Sequence, residues 1–173
     1  MFRKMRRKDL EISNPLEIEN IINSAQVVHL GLSGEEYPYI VPMTYGYENR
    51  KLYLHCASEG YRIDLIRRDP RVCFQVEWDV VFHPDDSKSS GLTLTYRSVT
   101  GFGIARILED PDEKRNAIRI LASHYCEKGT MVHRSEQALR NVTMLEISIQ
   151  HMTGKEHRMN SPFSGWDNNI KPV

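Results

Sequence analysis

Apolar side chains recur along this chain with two periods, and the periods divide it into elements. In "SNPLEIENIINSAQ" they fall at Leu16, Ile18, Ile21 and Ile22, a helical spacing. Asn14 is placed to cap that helix, Pro15 takes its first position, and acids follow in the first turn. The spacing predicts an amphipathic helix with those four residues on its buried face. Beyond it the period shortens to two. "VVHLGLS" (27–33) alternates around Gly31, Gly34 to Glu36 supply a turn, and "YPYIVPMTYGYE" (37–48) reads as one strand rich in β-branched and aromatic residues. "ENR" (48–50) turns the chain into the strand "KLYLHCA" (51–57). A short basic helix, 60–68, stops at Asp69-Pro70, and "RVCFQVEWDVVF" (71–82) resumes the strand pattern.

The second half continues in the same manner. "HPDDSKSSG" (83–91) reads as a polar loop. "LTLTYRSVTGFGIARILE" (92–109) reads as one long strand or a bent pair, with Gly101 and Gly103 as bulge sites. Asp110 and Pro111 open a helix with an acidic first turn, "SEQALRNV" (135–142) is a further helical piece, and "TMLEISIQHMTGKE" (143–156) closes as a strand. Short strands joined by tight turns, with helices that do not alternate regularly with them, predict a mainly β fold: a β-barrel with inserted helices. The tail from 157 is polar and carries Trp166.

Composition adds little to this picture. The chain has 173 residues, enough for one domain with a core, and 23 basic side chains balance 23 acidic ones. Neither a nucleic-acid nor a membrane-surface role draws support from that balance. The opening "MFRKMRRK" is locally basic but too short and polar for a signal peptide, and reads as a solvated or partner-binding arm. The longest apolar runs fall short of a membrane span. Cys56, Cys73 and Cys126 are widely spaced, which fits reduced thiols in a cytoplasmic protein, with Cys56 and Cys73 as small core residues. His124 and Cys126 form a single pair with no second pair to complete a metal site, so no metal is expected.

Four places carry candidate chemistry. Arg62 follows Gly60-Tyr61 at a strand-to-helix junction, where free amides and the helix dipole favour an anion that a guanidinium can bind in bidentate fashion. Arg67 and Arg68 suit the other end of the dipole and need no ligand. His55 lies mid-strand on the face of Tyr53 and Ala57, opposite Leu52, Leu54 and Cys56; it is either a packed ring bonded to a backbone carbonyl or a group beside a cofactor. Pro42 within "YIVPMT" (39–44) removes a ladder donor, so the strand is bulged or at an edge there, and its backbone groups can meet a flat, polar-edged ring. Arg97 and Ser98 precede the glycine-bent part of their strand, one pointing inward and one outward. Neither GxGxxG nor GxxxxGK[ST] is present.

The order of these signals, "YPYIVPMTYGYENRKLYLHCASEGYRIDLIRRDPRVCFQVE" and then "YRSVTGFGIARILEDPDEK", resembles the pyridoxamine 5'-phosphate oxidase-related flavoproteins, and within them the 5-nitroimidazole-resistance branch. The "MRRKDLEIS" lead-in belongs to the same likeness, which covers residues 1–156 as a single domain. The resemblance implies a split β-barrel that works as a homodimer and binds FMN, with FAD the less favoured flavin, at the dimer interface with residues of both subunits. It implies that Tyr39, Ile40, Val41, Pro42, Met43 and Thr44 run along the flavin, and that Leu54 and His55 lie beside it. It implies further that Arg62 holds the phosphate with Tyr61 in place of a second basic residue. Arg97 and Ser98 match the Arg-Gln pair of the oxidases, and Lys155 matches the lysine of the branch's "TGK" ending. The end "SGWDNNIKPV" lacks the oxidases' substrate-binding arginine and histidine, so pyridoxamine phosphate oxidation is not expected. The implied activity is reduction of a small electrophile of the nitro-aromatic type with electrons from a nicotinamide cofactor, with His55 close to the flavin to stack, donate a hydrogen bond or pass a proton. A non-catalytic flavin binder and a haem-binding or haem-degrading split barrel are the alternatives.

Overall fold

The structure, a computed structural model of the chain, describes residues 2–84, 91–126 and 142–158. The expected helical piece at 135–142 lies outside the described residues except for Val142, as do Trp166 and the tail from 159. A 3-10 turn at Lys8–Leu10 leads into β1 (Glu11–Ile12) and α1 (Pro15–Ser24). Then come β2 (Val28–Leu32), β3 (Tyr39–Met43), β4 (Tyr45–Glu48), β5 (Lys51–Cys56) and α2 (Tyr61–Arg68). The chain continues through β6 (Arg71–Pro84), β7 (Leu92–Leu108), α3 (Pro111–Tyr125) and β8 (Thr143–His157). Among the described residues no helix is long and apolar enough to cross a membrane.

Local chemistry sets the helix starts. Asn14 accepts from the Leu16 amide at 3.0 Å with Pro15 at the first position of α1, and the Asp110 carboxylate accepts from the amides of Asp112 and Glu113 at the start of α3. Ile18, Ile21 and Ile22 of α1 enter the core, whereas Leu16 is 69% exposed. Two positions on a helix are about 200° apart, so Leu16 turns away from the face that Ile18 occupies.

All the strands pair antiparallel in one sheet of order β3-β2-β6-β7-β8-β5-β4, with β1 beside β8. The segment expected to be one strand, 37–48, is two. β3 pairs with β2 at one end of the sheet and β4 pairs with β5 at the other. Thr44 alone joins these two ends. Two Cα steps reach at most about 7 Å, so the sheet curls until its edges meet at that corner, which makes a mainly β split barrel. The register shifts where β7 passes Phe102/Gly103, at the expected bulge site.

Inward-facing residues alternate along each strand. Val28, Leu30 and Leu32 of β2 and Val72, Phe74 and Val76 of β6 join Ile63, Leu65 and Ile66 of α2 in the barrel interior. That alternation sends Cys73 outward, where it is exposed; it is not a core residue, and Cys56 is. A second cluster lies outside the barrel, where α3 covers Tyr53 and Met144 with Ala117, Ile118 and Ile120.

Candidate functional site

β5 delivers the chain into Gly60, at φ +112°, and from there into α2. No side chain caps α2. The Gly60 carbonyl accepts from the amides of Ile63 and Asp64, and among the described residues the Tyr61 and Arg62 amides have no backbone acceptor. Arg62 therefore adds a cation to an end already positive from the dipole. Its Nη1 donates to Met43 Sδ at 3.4 Å, and its Nε is buried with no partner. No carboxylate among the described residues pairs with it, although Arg68 on the same helix has Glu35 at 2.8 Å. Beside it, burial pushes the Cys56 thiol up from its ordinary pKa, and the Arg62 charge opposes that shift. Two sulfur neighbours are weak acceptors and leave the guanidinium charge uncompensated. A partly buried cation so placed gains free energy from any anion that joins it.

The rest of the expected residues fall into three groups. Tyr39 and Met43 meet α2 directly: the Tyr39 and Tyr61 rings stack edge to face at 5.2 Å, and Met43 receives Arg62. Between them Val41 is half-buried, while Ile40, Pro42 and Thr44 are exposed along the edge strand. Leu54, at 0% exposure, is enclosed in the core, so its side chain contacts only protein. His55 is exposed on the opposite face of β5 from Cys56, across from Met144 of β8, and its ring makes no hydrogen bond to the described residues. Arg97, Ser98 and Lys155 form the third group on β7 and β8. The Arg97 guanidinium lies 5.2 Å from the Trp78 ring centre and 3.6 Å from a Glu156 oxygen, and Ser98 sits between Glu77 and Lys155 in register. The Lys155 ammonium lies over the Tyr96 ring at 5.5 Å. Strands β2 and β6 separate β3 from β7, roughly 14 Å along the sheet, and no described contact joins this group to Arg62.

Several features were not anticipated from the sequence. An outer-face groove of about 660 Å³ runs past Tyr39, Ile40, Gly31, Arg71, Cys73 and Phe102. Ile40, Gly31, Cys73 and Phe102 lie in one cross-strand row that ends at His151, and Phe2 stacks on the last two rings at 5.5 and 4.7 Å. Gly31 was the available signal: a side chain there would meet Cys73 Sγ at 2.6 Å, so only glycine leaves the row flat. Met43 and Cys56 as the sulfur neighbours of Arg62, and Trp78 and Glu156 around Arg97, have no local signature. The His124 ring donates from Nε2 to the Ala25 carbonyl at 2.8 Å, and among the described residues no cluster of His, Cys, Asp or Glu could hold a metal.

A family model described as pyridoxamine 5'-phosphate oxidase matches residues 14–156. The chain belongs to that family. Solved structures agree with a pyridoxamine 5'-phosphate oxidase fold. A candidate 5-nitroimidazole antibiotic resistance protein from Bacteroides thetaiotaomicron is 29% identical, over 90% of this chain and 96% of that one, at TM-score 0.76. A flavocytochrome from Azotobacter vinelandii, 15% identical over 99% and 86% of the two chains, superimposes at 0.78. A FAD and heme binding protein from Mycobacterium smegmatis, 16% identical over 92% and 76%, superimposes at 0.74. At those two lower identities the likeness is one of fold. An uncharacterized protein of Rhizobium meliloti is 33% identical over 61 residues, 35% of this chain and 39% of that protein, so the match spans under half of the curated relative's length.

Proposed function

We propose that this chain is a flavoprotein that binds FMN and reduces a small electrophile, of the nitro-aromatic type, with electrons from a nicotinamide cofactor. The observation that carries the reading is Arg62: a guanidinium with a buried, unpartnered Nε at an uncapped helix start, with no carboxylate among the described residues to neutralise it. A phosphate monoester fits that seat, because it accepts from the guanidinium and from the Tyr61 and Arg62 amides together. One unopposed guanidinium matches one phosphate group, which favours the mononucleotide over FAD. The relatives named as a FAD and heme binding protein and as a flavocytochrome support a flavin without choosing between FMN and FAD, and the nitroimidazole-resistance candidate at 29% identity supports the substrate class.

Each residue then has a task. Arg62 and the α2 amides hold the phosphate, and Met43 Sδ orients the guanidinium from behind. β3 is the end strand of the sheet, so from Tyr39 to Thr44 its outer backbone groups are free to meet the polar rim of a ring system. His55 is exposed, and its imidazole can stack on the ring, donate a hydrogen bond or pass a proton. Arg97, Ser98 and Lys155 make no described contact with Arg62, and Lys155 lies far along β8 from Thr143, the partner of Cys56, so in this reading a second copy brings them to the seat, as a homodimer does. The flavin, when bound, supplies the electron transfer itself, and the protein supplies position and protons.

Denaturing the purified protein and chromatographing the released small molecule tests this directly. FMN at one equivalent per chain is the expected result. Release of FAD, of haem with an intense Soret band, or of nothing overturns the assignment. Stopped-flow mixing of the yellow protein with a nicotinamide cofactor separates a reductase, which bleaches, from a flavin carrier, which does not.

A further inference from the structure

The corner between β3 and β4 is fastened from outside the barrel by the last turn of α3. Tyr45, at 0% exposure, is the first residue after the corner. Its amide donates to the Tyr125 hydroxyl oxygen at 3.0 Å, and that hydroxyl donates to the Gln26 carbonyl at 2.8 Å. The Tyr45 hydroxyl donates to the Ile22 carbonyl at 2.5 Å, with the Ala25 carbonyl 3.2 Å away. His124 donates to that same Ala25 carbonyl, and its ring packs against Tyr45 with centroids 4.6 Å apart. Next along the strand, Gly46 lets the α3 backbone approach: a side chain there would lie 2.6 Å from the Ile120 carbonyl and the Leu121 amide. Tyr45 is thus held at its backbone by α3 and at its side chain by the carbonyls that end α1.

Beyond these bonds the corner is held by the ladders on either side, where Met43 pairs with Val28 and Tyr45 with Leu54. One residue, Thr44, joins the two edge strands, and β3 and β4 pair with different neighbours. Two residues before Tyr45, Met43 is the sulfur acceptor of Arg62. Backbone movement at Tyr45 therefore passes through one link to the atom that orients the guanidinium.

We infer that Tyr125 is a positioning residue for the anion seat, acting through the Tyr45 amide on Thr44, Met43 and then Arg62. The inference rests on the flavin reading above, because the seat's ligand is the FMN phosphate. A tyrosine serves here because a single hydroxyl accepts from one strand amide and donates to one loop carbonyl, which ties α3, β4 and the end of α1 at one atom. Phenylalanine keeps the ring and removes both bonds, leaving the Tyr45 amide without a partner.

Tyr125→Phe is compared with wild type and with Ile118→Val, a packing change on the same helix within the second core cluster. Hydrogen exchange of the Tyr45 amide is measured without flavin, and FMN affinity is measured by titration of the flavin-stripped full chain. The expected result in Tyr125→Phe is exchange faster by about tenfold and FMN binding weaker by about tenfold. Ile118→Val is expected to lower Tm at least as much and to leave FMN affinity within about twofold. Unchanged exchange in Tyr125→Phe overturns the inference, and so does faster exchange with unchanged affinity. Equal weakening by Ile118→Val also overturns it, since general softening then explains the effect. Wild-type protein that takes up no FMN strikes the flavin reading itself, whereas wild-type uptake with undiminished uptake in Tyr125→Phe strikes only the role of Tyr125.

Discussion

Two arginines near helix starts meet opposite fates in this molecule. Arg106 leaves β7 towards the first turn of α3 and, half exposed, is paired with two carboxylates. Its Nε and Nη2 donate to Glu146 at 3.0 and 3.1 Å, and its Nη1 and Nη2 donate to Glu113 at 2.9 and 2.7 Å. Lys51 adds a second cation at 3.1 Å from Glu146, which is 4% exposed. Burial by itself would push the Glu146 carboxyl up, but hydrogen bonds from Arg106 and Lys51 outweigh it and hold the group below its ordinary range. Arg62, at the start of α2, has sulfur beside it and no carboxylate among the described residues. Charges closed within the chain stabilise the fold, and a charge left open points to something the chain binds.

The comparison is broken most decisively at Arg62. Arg62→Ala is expected to weaken FMN binding about 1000-fold, about 4 kcal/mol, while the apo protein keeps its Tm, because the change removes an uncompensated cation. A variant that still purifies with stoichiometric yellow colour would place the phosphate elsewhere. Arg106→Ala is the mirror image. It is expected to cost about 2 kcal/mol in urea unfolding, between an exposed and a buried pair because Glu146 is buried but Arg106 is half exposed and Lys51 remains, with FMN affinity unchanged. If FMN binding fell with it, the two regions would not be separable.

Acid titration sharpens the closed region. The Glu146 carboxyl is lower in the folded protein than its ordinary value of 4.5, so its contribution is fully present above about 4.5 and disappears as the pH falls through the depressed folded value. The urea midpoint is therefore expected to hold between about pH 6 and pH 5 and to drop below about 4.5. Glu146→Gln should start lower and lose less on acidification; an identical acid slope in that variant would assign the linkage to other groups. The smallest effect belongs to the open region. Inorganic phosphate at about ten times its dissociation constant should stabilise apo wild type by about 1.4 kcal/mol and leave Arg62→Ala unmoved in a thermal melt.

Much of this was legible in the chain. The Asn14 and Asp110 caps, the turn at 48–50, the glycine-bent β7 and the junction that places Arg62 at the start of α2 all follow from neighbours within a few residues. Cys73 was expected in the core, although alternation with Val72 and Phe74 points it outward, where it is exposed. The division of 37–48 into β3 and β4 was not legible, because both halves have the same strand chemistry and only their pairing partners differ. The Tyr125 hydroxyl on the Tyr45 amide spans eighty positions and leaves no local trace.

The amino-acid order alone determined most of the described helices and strands, though not the break at Thr44, and that an arginine would stand at a helix start. Caps, turns and alternation are set by interactions that span a turn or a strand, and these can be read directly from the order. Tertiary structure decided which charges are answered. Glu146 reaches Arg106 across 40 positions and Lys51 across 95, whereas Met43 meets Arg62 with a sulfur and no carboxylate arrives. Whether a buried charge has its counter-ion depends on where the folded sheet carries distant side chains, and no local pattern encodes that.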